Sequence, residues 1–437
     1  MRSLVSRRAV ALVTTVCAGL ALTGSALTPI RATAAPADAC PAAESVTPAT
    51  GRGTLAAEPV RLRTLSADEV RTALAKARFT SALVRYGVEL CRLLYRTVDA
   101  KGRPTVASGL IVLPRNGDRR PRIVSFTHGT QSYKEDAPSI GRDDFSFAPA
   151  MTFGAAGFAA VTPDYLGLGK GPGTHPWMDV PSETTASLDM LRAARAYMAR
   201  RGMVPQRRVL VTGFSQGASA ALGLARALQN GADRWYRLGA VAPISGGYAF
   251  RDAEIPALLA GQEIPSKLAV AYTAYLLVSW NRLHHLYDSP DEVFQAPYAD
   301  KVERLFGGTT PGQEMLAALP DRLYGDPQQP GDQPPLLTAR GLAMLEHPTG
   351  AFAAALRVAD GTCTGWVPHA PIRLYYAAGD EQAVTANTDH CRAAFRASGV
   401  NLTPIDLGPH DYEGSRHLGT AVSGTAAIVD WFTHLSA

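Results

Sequence analysis

A serine framed by two glycines is the residue of this 437-residue chain best suited to nucleophilic chemistry. An apolar, β-branched run at 209–212 leads into Gly213, Phe214, Ser215, Gln216 and Gly217, and an alanine-rich helical pattern follows at once. A strand, a sharp turn and a helix are the context that a G-x-S-x-G nucleophile elbow requires. Glycines two places either side of the serine remove Cβ atoms that would collide where strand and helix pass closely. A chain with 40 glycines could carry this pentapeptide by chance, but its flanking elements favour a nucleophile.

An acid and two candidate bases follow Ser215 along the chain. A serine hydroxyl needs a base to accept its proton, and the base needs a carboxylate to fix its tautomer and stabilise its charge. Asp380 directly follows an apolar strand pattern, where this acid is expected, although it could instead cap a helix and Glu381 could replace it. His410 lies nearer the end of the last predicted strand, and His417 lies just ahead of the last predicted helix among small residues. We predict His417 as the base, with His410 as the alternative.

Two backbone N–H groups are expected to form an oxyanion hole, because negative charge develops on the substrate oxygen during attack. One is the N–H of Gln216, the residue after the nucleophile. The other is expected from the loop at 128–131, which follows a short buried strand and contains a glycine. We predict Thr130 as this second donor, with Gln131 next, and we expect Asp164 to shape the floor of the site by hydrogen bonding.

Short apolar strands alternate with helical patterns through most of the chain. The main strands are predicted at 90–98, 105–113, 122–126, 157–162, 208–214, 238–244, 371–376 and 401–407. The main helices are predicted at 183–201, 216–229, 386–398 and 420–435. After an opening antiparallel pair, this alternation predicts an α/β fold with a mainly parallel, doubly wound sheet covered on both faces.

The alternation stops between residues 248 and 368, where helix-like runs and a proline-rich loop take over. The aromatic content around 272–280 argues against a disordered linker, which is the alternative. We therefore predict a helical cap (lid) insertion at 248–368 within a core formed by 90–247 and 369–437. An N-terminal arm with one helix, 35–89, precedes the core.

The first 34 residues have the layout of a signal peptide. Arg7 and Arg8 precede an uncharged run at 9–22, and small residues surround the pair Ala34-Ala35. We expect cleavage near this pair and a secreted protein. Residues 1–34 contain four arginines and no acid, so their removal lowers the net charge from +5 to +1. A nearly neutral chain without a basic tract has no electrostatic footprint for nucleic acid.

Four cysteines remain after residue 34, an even number in an oxidising compartment. They are Cys40, Cys91, Cys363 and Cys391, and they allow three pairings into two disulfides. Proximity in the sequence favours Cys40–Cys91 and Cys363–Cys391. Since no pair has C-x-x-C spacing and no histidine cluster accompanies them, we expect no metal site.

Several motifs of the chain occur together in one known group of enzymes. They are Gly-Phe-Ser-Gln-Gly at 213–217, Thr-His-Gly-Thr at 127–130 with Ala-Pro-Ser at 137–139, Pro-Asp-Tyr-Leu-Gly-Leu-Gly at 163–169, and Gly-Asp at 379–380. This set resembles the secreted α/β-hydrolases of the secretory lipase group, which is similar to the lipase A type of yeasts and bacteria. The resemblance covers residue 90 to the C-terminus. It implies a Ser-Asp-His carboxylic ester hydrolase with a helical cap inserted before the acid-bearing strand.

We therefore expect a secreted esterase or lipase that acts through an acyl-enzyme on small-molecule or lipid esters, without a cofactor. The apolar cap residues favour recognition of an acyl chain or aromatic acid, and they allow transient contact with a lipid interface. The same triad could transfer an acyl group to an alcohol or cleave a peptide instead. A non-catalytic hydrolase-fold binding protein is a further alternative, against which the intact Ser-Asp-His order counts. Nothing in the sequence indicates an oligomeric state.

Overall fold

A nine-stranded sheet forms the centre of the molecule. The structure is a computed structural model, and it describes residues 51–141, 145–325 and 333–435. The strands are β1 (Val60–Leu65), β2 (Val88–Val98), β3 (Pro104–Pro114), β4 (Ile123–Thr127), β5 (Ala159–Pro163), β6 (Arg208–Phe214), β7 (Arg237–Ile244), β8 (Tyr375–Tyr376) and β9 (Ile405–Asp406). They lie in the order β1-β2-β3-β5-β4-β6-β7-β8-β9.

The sheet is antiparallel at one edge and parallel elsewhere. β1, β2 and β3 are antiparallel neighbours, and β3 is also antiparallel to β5. From β5 to β9 every neighbouring pair is parallel. The carboxyl ends of β4, β6 and β8 therefore point to one edge of the sheet, where polar residues on the following loops can meet.

Helices cover both faces of the sheet. The helices α3 (Val180–Arg200), α4 (Gln216–Gln229) and α11 (Ala386–Ala397) supply core residues on one face. The helices α1 (Ala67–Lys76), α2 (Ala148–Ala156) and α12 (Arg416–His434) supply them on the other. The predicted α/β fold with a mainly parallel, doubly wound sheet is confirmed.

Residues 248–368, which we call the insertion, separate β7 from β8. In the described part of this segment the helices are α5 (Ile255–Ala260), α6 (Ser266–His284), α7 (Val302–Leu305), α8 (Gly312–Ala318), α9 (Ala339–Glu346) and α10 (Gly350–Ala359). Buried residues of the insertion form a hydrophobic core that also includes Trp177, Met178 and Val384. Helix α6 is apolar on nearly every side because it passes through the middle of that core.

Three terminal elements differ in extent from the sequence predictions. The strand predicted at 371–376 is only Tyr375–Tyr376, and the strand predicted at 401–407 is only Ile405–Asp406. Each predicted span contains a proline, which has no N–H for the ladder. The last helix begins at Arg416 rather than 420, because Ser415 caps it by accepting a hydrogen bond from the N–H of Leu418. His417 therefore lies in the first turn of α12 and not ahead of the helix.

The N-terminal arm adds an edge strand that the sequence pattern did not indicate. β1 pairs with β2, with an irregularity between Arg61 and Arg63. The one helix predicted for the arm is α1, and Ser66 caps it, since its hydroxyl accepts a hydrogen bond from the N–H of Glu69. The predicted signal peptide at 1–34 and its cleavage site lie outside the described residues.

One of the two predicted disulfides lies within the described residues. Cys363 and Cys391 are joined, which ties the end of the insertion to α11 and confirms this pairing. Cys40 lies outside the described residues, so Cys40–Cys91 stays a prediction. Among the helices that the structure describes, none has both the length and the apolar character needed to cross a membrane.

Candidate active site

Ser215 lies at a sharp turn between β6 and α4. Its backbone has φ 56° and ψ −123°, a region that a non-glycine residue rarely adopts. A Cβ on Gly213 would overlap the carbonyl oxygen of Gly217, and a Cβ on Gly217 would overlap that of Thr127. Only glycine fits at these two positions, so strand and helix can approach closely and present the serine at the carboxyl edge of the sheet.

The structure brings Ser215, His417 and Asp380 together. Nε2 of His417 lies 2.9 Å from Oγ of Ser215, and Nδ1 lies 2.9 Å from each carboxylate oxygen of Asp380. A carboxylate facing Nδ1 favours the tautomer in which Nδ1 carries the proton, so Nε2 can accept from the serine hydroxyl. Asp380 and His417 are both buried. The N–H groups of Gln382 and Ala383 donate to Asp380 Oδ1 at 3.0 and 2.9 Å, which fixes the carboxylate.

Glu381 holds the backbone that carries His417. Its Oε2 accepts the N–H groups of Arg416 and His417 at 3.1 and 3.2 Å, and its Oε1 accepts the hydroxyl of Ser415 at 2.5 Å. All three donors belong to the N-terminus of α12, where an anion is favoured by the helix dipole. Asp380 therefore orients the imidazole of His417, while Glu381 anchors the first turn of its helix.

His410, the alternative base, is exposed in the loop before α12. Its backbone N–H donates to the carbonyl of Gly408 at 2.9 Å. The hydroxyl of Ser215 and the carboxylate of Asp380 face His417 rather than His410.

The predicted oxyanion residues lie on either side of Ser215. Gln216 is the first residue of α4, where backbone N–H groups have no partner within the helix. Thr130 follows β4 and lines the same cavity as Ser215. Its hydroxyl accepts the indole N–H of Trp177 at 3.0 Å, and the hydroxyl of Tyr275 donates to the carbonyl of Gln131 at 3.0 Å. The loop is thus held by Trp177, which lies outside the insertion, and by Tyr275, which lies within it. The roles of Gln216 and Thr130 as oxyanion donors stay predictions.

Asp164 lies under this loop and is fully buried. It accepts the hydroxyl of Ser108 at 2.5 Å and both the hydroxyl and the N–H of Ser139, the latter at 2.9 Å. Burial raises the pKa of Asp164. The next residue, Tyr165, donates its hydroxyl to the carbonyl of His128 at 3.0 Å. Burial lowers the pKa of His128 to about 4, so this histidine is neutral at physiological pH, and its ring packs against the ring of Tyr165.

A cavity of about 410 Å³ opens onto Ser215 and His417. Its apolar lining from the core is Phe126, Phe145, Pro149, Phe214, Leu418 and Ala421. Its apolar lining from the insertion includes Leu268, Tyr272, Tyr275, Phe306, Met315 and Leu316. Apolar walls with a few convergent polar groups suit a ligand with a hydrocarbon or aromatic part. Within the described residues, no cluster of histidine, cysteine or acidic residues could hold a metal ion.

Sequence reasoning missed Glu183 and His175, whose side chains contact the side chain of Gln216. Glu183 lies at helical spacing from the apolar Leu191 and Ala194. This spacing indicates that its carboxyl is on the side of the helix that faces the core. His175 and Trp177 lie in a loop without periodicity, and no local pattern indicates what they contact.

Solved structures share this architecture. The chain matches the rice cell wall degrading esterase LipA from Xanthomonas oryzae with a TM-score of 0.75 and 24% identity, over 88% of this chain and 99% of that chain. It matches lipase A of Candida antarctica, in its closed state, with a TM-score of 0.57 and 16% identity, over 81% and 76% of the two chains. No protein-family model and no curated protein matches the chain. The chain has the α/β-hydrolase fold. The predicted resemblance to lipase A-type enzymes is confirmed at the level of this fold.

Proposed function

We propose that this protein is a serine hydrolase that cleaves carboxylic esters through Ser215, His417 and Asp380. The observation that carries the proposal is the continuous hydrogen-bonded line from Ser215 Oγ through both ring nitrogens of His417 to Asp380, with 2.9 Å at each step. This arrangement supplies a nucleophile, a base and an orienting acid in one buried site. Esterases and lipases among the structures of the same fold add support.

In the first half-reaction, Ser215 Oγ attacks the ester carbonyl carbon while His417 Nε2 takes its proton. The carbonyl oxygen becomes an oxyanion, to which the N–H groups of Gln216 and Thr130 donate. The bond to the alcohol oxygen then breaks, and His417 gives its proton to the departing alcohol. An acyl-enzyme ester on Ser215 remains.

In the second half-reaction, a water molecule attacks the acyl carbon and gives a proton to His417 Nε2. The new oxyanion collapses, the bond to Ser215 Oγ breaks, and the proton returns from His417 to the serine. The carboxylic acid leaves and the resting site is restored. Asp380 stabilises the imidazolium in both halves without itself taking the proton.

Small-molecule or lipid esters with an apolar acyl or aromatic part are the proposed substrates. The cavity is walled by aromatic and aliphatic side chains on both sides of Ser215. About half of its apolar wall comes from the insertion, and this supports a cap role for residues 248–368. Transient contact with a lipid interface is part of the proposal.

Export from the cell is also proposed. The pattern of residues 1–34 is typical of a signal peptide. The disulfide between Cys363 and Cys391 is of the kind that forms and persists in oxidising compartments.

A chain-length series of p-nitrophenyl esters tests the proposal on wild type, Ser215→Ala, His417→Ala and His410→Ala. We expect the first two variants to lose activity by about 10⁴-fold or more, because triad members act as a unit. His410→Ala is the matched control and should keep wild-type kcat. A serine-directed phosphonate should label Ser215 in wild type. The proposed function is wrong if wild-type protein neither reacts with the phosphonate nor hydrolyses the esters. If His410→Ala is inactive while His417→Ala is active, the base is His410 instead.

A further inference from the structure

We infer that Glu183 and His175 are positioning residues for the oxyanion hole, because they clamp the side chain of Gln216 whose backbone N–H is the proposed donor. The inference rests on the proposed function and assigns a role to a buried polar cluster that the mechanism above does not use. It names two residues outside the triad on which the chemical step should depend.

The amide of Gln216 uses both of its hydrogens in this cluster. Its Nε2 lies 2.7 Å from Oε1 of Glu183 and 2.7 Å from Nε2 of His175. Nδ1 of His175 lies 3.0 Å from the carbonyl oxygen of Leu166, which can only accept, so Nδ1 carries the proton and Nε2 is the acceptor. An acceptor at that position excludes the flipped amide. The side chain of Gln216 is therefore held in one orientation from two directions.

The two clamping groups lie on one segment of the chain, and Gln216 lies on another. Glu183 belongs to the first turn of α3, and His175 belongs to the loop between β5 and that helix. Gln216 is the first residue of α4, directly after Ser215. A clamp on this side chain restrains the rotation of the first peptide unit of α4, which sets where the N–H of Gln216 points.

All three side chains are buried, with 1% of Glu183, 3% of His175 and 2% of Gln216 exposed. Burying a carboxyl and an imidazole under the nucleophile is costly unless both are neutral and hydrogen-bonded. Burial raises the pKa of Glu183 to about 8 and lowers the pKa of His175 to about 3. Both groups are neutral at pH 7, so the clamp adds no negative charge beside the developing oxyanion.

Glu183 is the member of this cluster whose pKa is raised to about 8, and four other titratable groups surround it. Those that face it are Asp179, His175, Tyr165 and Tyr275. Burial raises the pKa of both tyrosines far enough to keep them neutral. Asp179 is an acid whose own pKa is raised by burial, and its charge further opposes ionisation of Glu183. Above about pH 8, Glu183 gains a negative charge next to Gln216, and this charge opposes oxyanion formation.

Three variants test the inference: Glu183→Leu, Glu183→Gln and, as control, Asp189→Asn. Asp189 is a buried carboxyl on the same helix, but its partners are Arg52, Arg192 and Thr97 rather than Gln216. We expect Glu183→Leu to lower kcat about 10- to 100-fold with KM nearly unchanged, less than the effect of deleting a donor outright. Glu183→Gln mimics the neutral carboxyl, so it should keep kcat at pH 7 within about threefold. Asp189→Asn should lose stability but keep kcat.

The pH profile separates positioning from a merely structural role. Wild-type kcat should decline above about pH 8, and this decline should be absent in Glu183→Gln. The inference is overturned if Glu183→Leu has the same kcat as wild type. It is also overturned if kcat declines above pH 8 in Glu183→Gln as it does in wild type. If Glu183→Leu does not fold, the comparison of wild type with Glu183→Gln decides. Failure of the proposed function is a different result, namely ester hydrolysis that is absent or survives Ser215→Ala.

Discussion

Replacing Glu381 by alanine should loosen the first turn of α12, which carries His417, without changing any of the three triad residues. The carboxylate accepts the N–H groups of Arg416 and His417 at 3.1 and 3.2 Å and the hydroxyl of Ser415 at 2.5 Å. His417 is the second residue of α12, so these contacts fix the backbone from which the imidazole projects. Without them, the first turn of the helix loses an anchor that Asp380 cannot replace.

The contacts allow an estimate of the effect. Loss of a helix-capping acceptor costs about 1 kcal/mol, and loss of an anion at a helix N-terminus costs about 0.3–1 kcal/mol. A hydrogen bond to a charged group contributes about 1.5–3 kcal/mol, and we take the low end because Glu381 is only half-buried. We expect a loss of about 2–3 kcal/mol in the positioning of His417, which corresponds to roughly a 30- to 160-fold lower kcat. Glu381→Gln keeps one acceptor oxygen, so its kcat should fall by only about 3- to 10-fold, the equivalent of one ordinary hydrogen bond.

The assay is steady-state hydrolysis of a short p-nitrophenyl ester, with thermal denaturation of each variant. KM should change less than kcat, because Glu381 lines the cavity but both of its carboxylate oxygens are engaged by the N-terminus of α12. Asp389→Asn, which alters an exposed carboxylate on α11, is the matched control and should behave as wild type. Wild-type kcat in Glu381→Ala together with a lowered Tm would refute the reasoning, since it would show that the first turn of α12 positions His417 unaided.

Three further predictions concern the acid, the elbow and a buried carboxyl. Asp380→Asn should lower kcat by about 10⁴-fold at nearly constant KM in ester hydrolysis, because the amide favours the wrong tautomer of the base. Gly217→Ala should lower the free energy of unfolding in urea by about 3 kcal/mol or prevent folding, since its Cβ would overlap the carbonyl oxygen of Thr127. Burial raises the pKa of Glu254 from 4.5 to about 8, so the folded state retains a proton that the unfolded state has lost, and stability falls as the pH rises between these values. Urea titrations at pH 5 and 8 should show Glu254→Gln gaining stability over wild type at the higher pH, at about 1.4 kcal/mol per pH unit of the removed slope.

The sequence alone determined the local elements that present the candidate nucleophile and acid. Ser215 lies in a strand–turn–helix segment whose glycines are demanded by contacts within that same segment and with Thr127. Asp380 lies in the loop just after β8. Because parallel strands end at one edge of the sheet, this loop lies at the same edge as Ser215. Periodicity and turn residues are local properties, so the fold class could be predicted from them.

The tertiary structure decided which side chains meet at that edge. His410 and His417 lie seven positions apart in similar surroundings, and only the packing of α12 against the sheet shows that His417 faces Ser215 and Asp380. The loop that carries His175 has no periodic signal, yet it reaches the side chain of Gln216 across the fold. Such contacts depend on the relative placement of distant elements, which the burial of their shared core fixes and which no local pattern encodes.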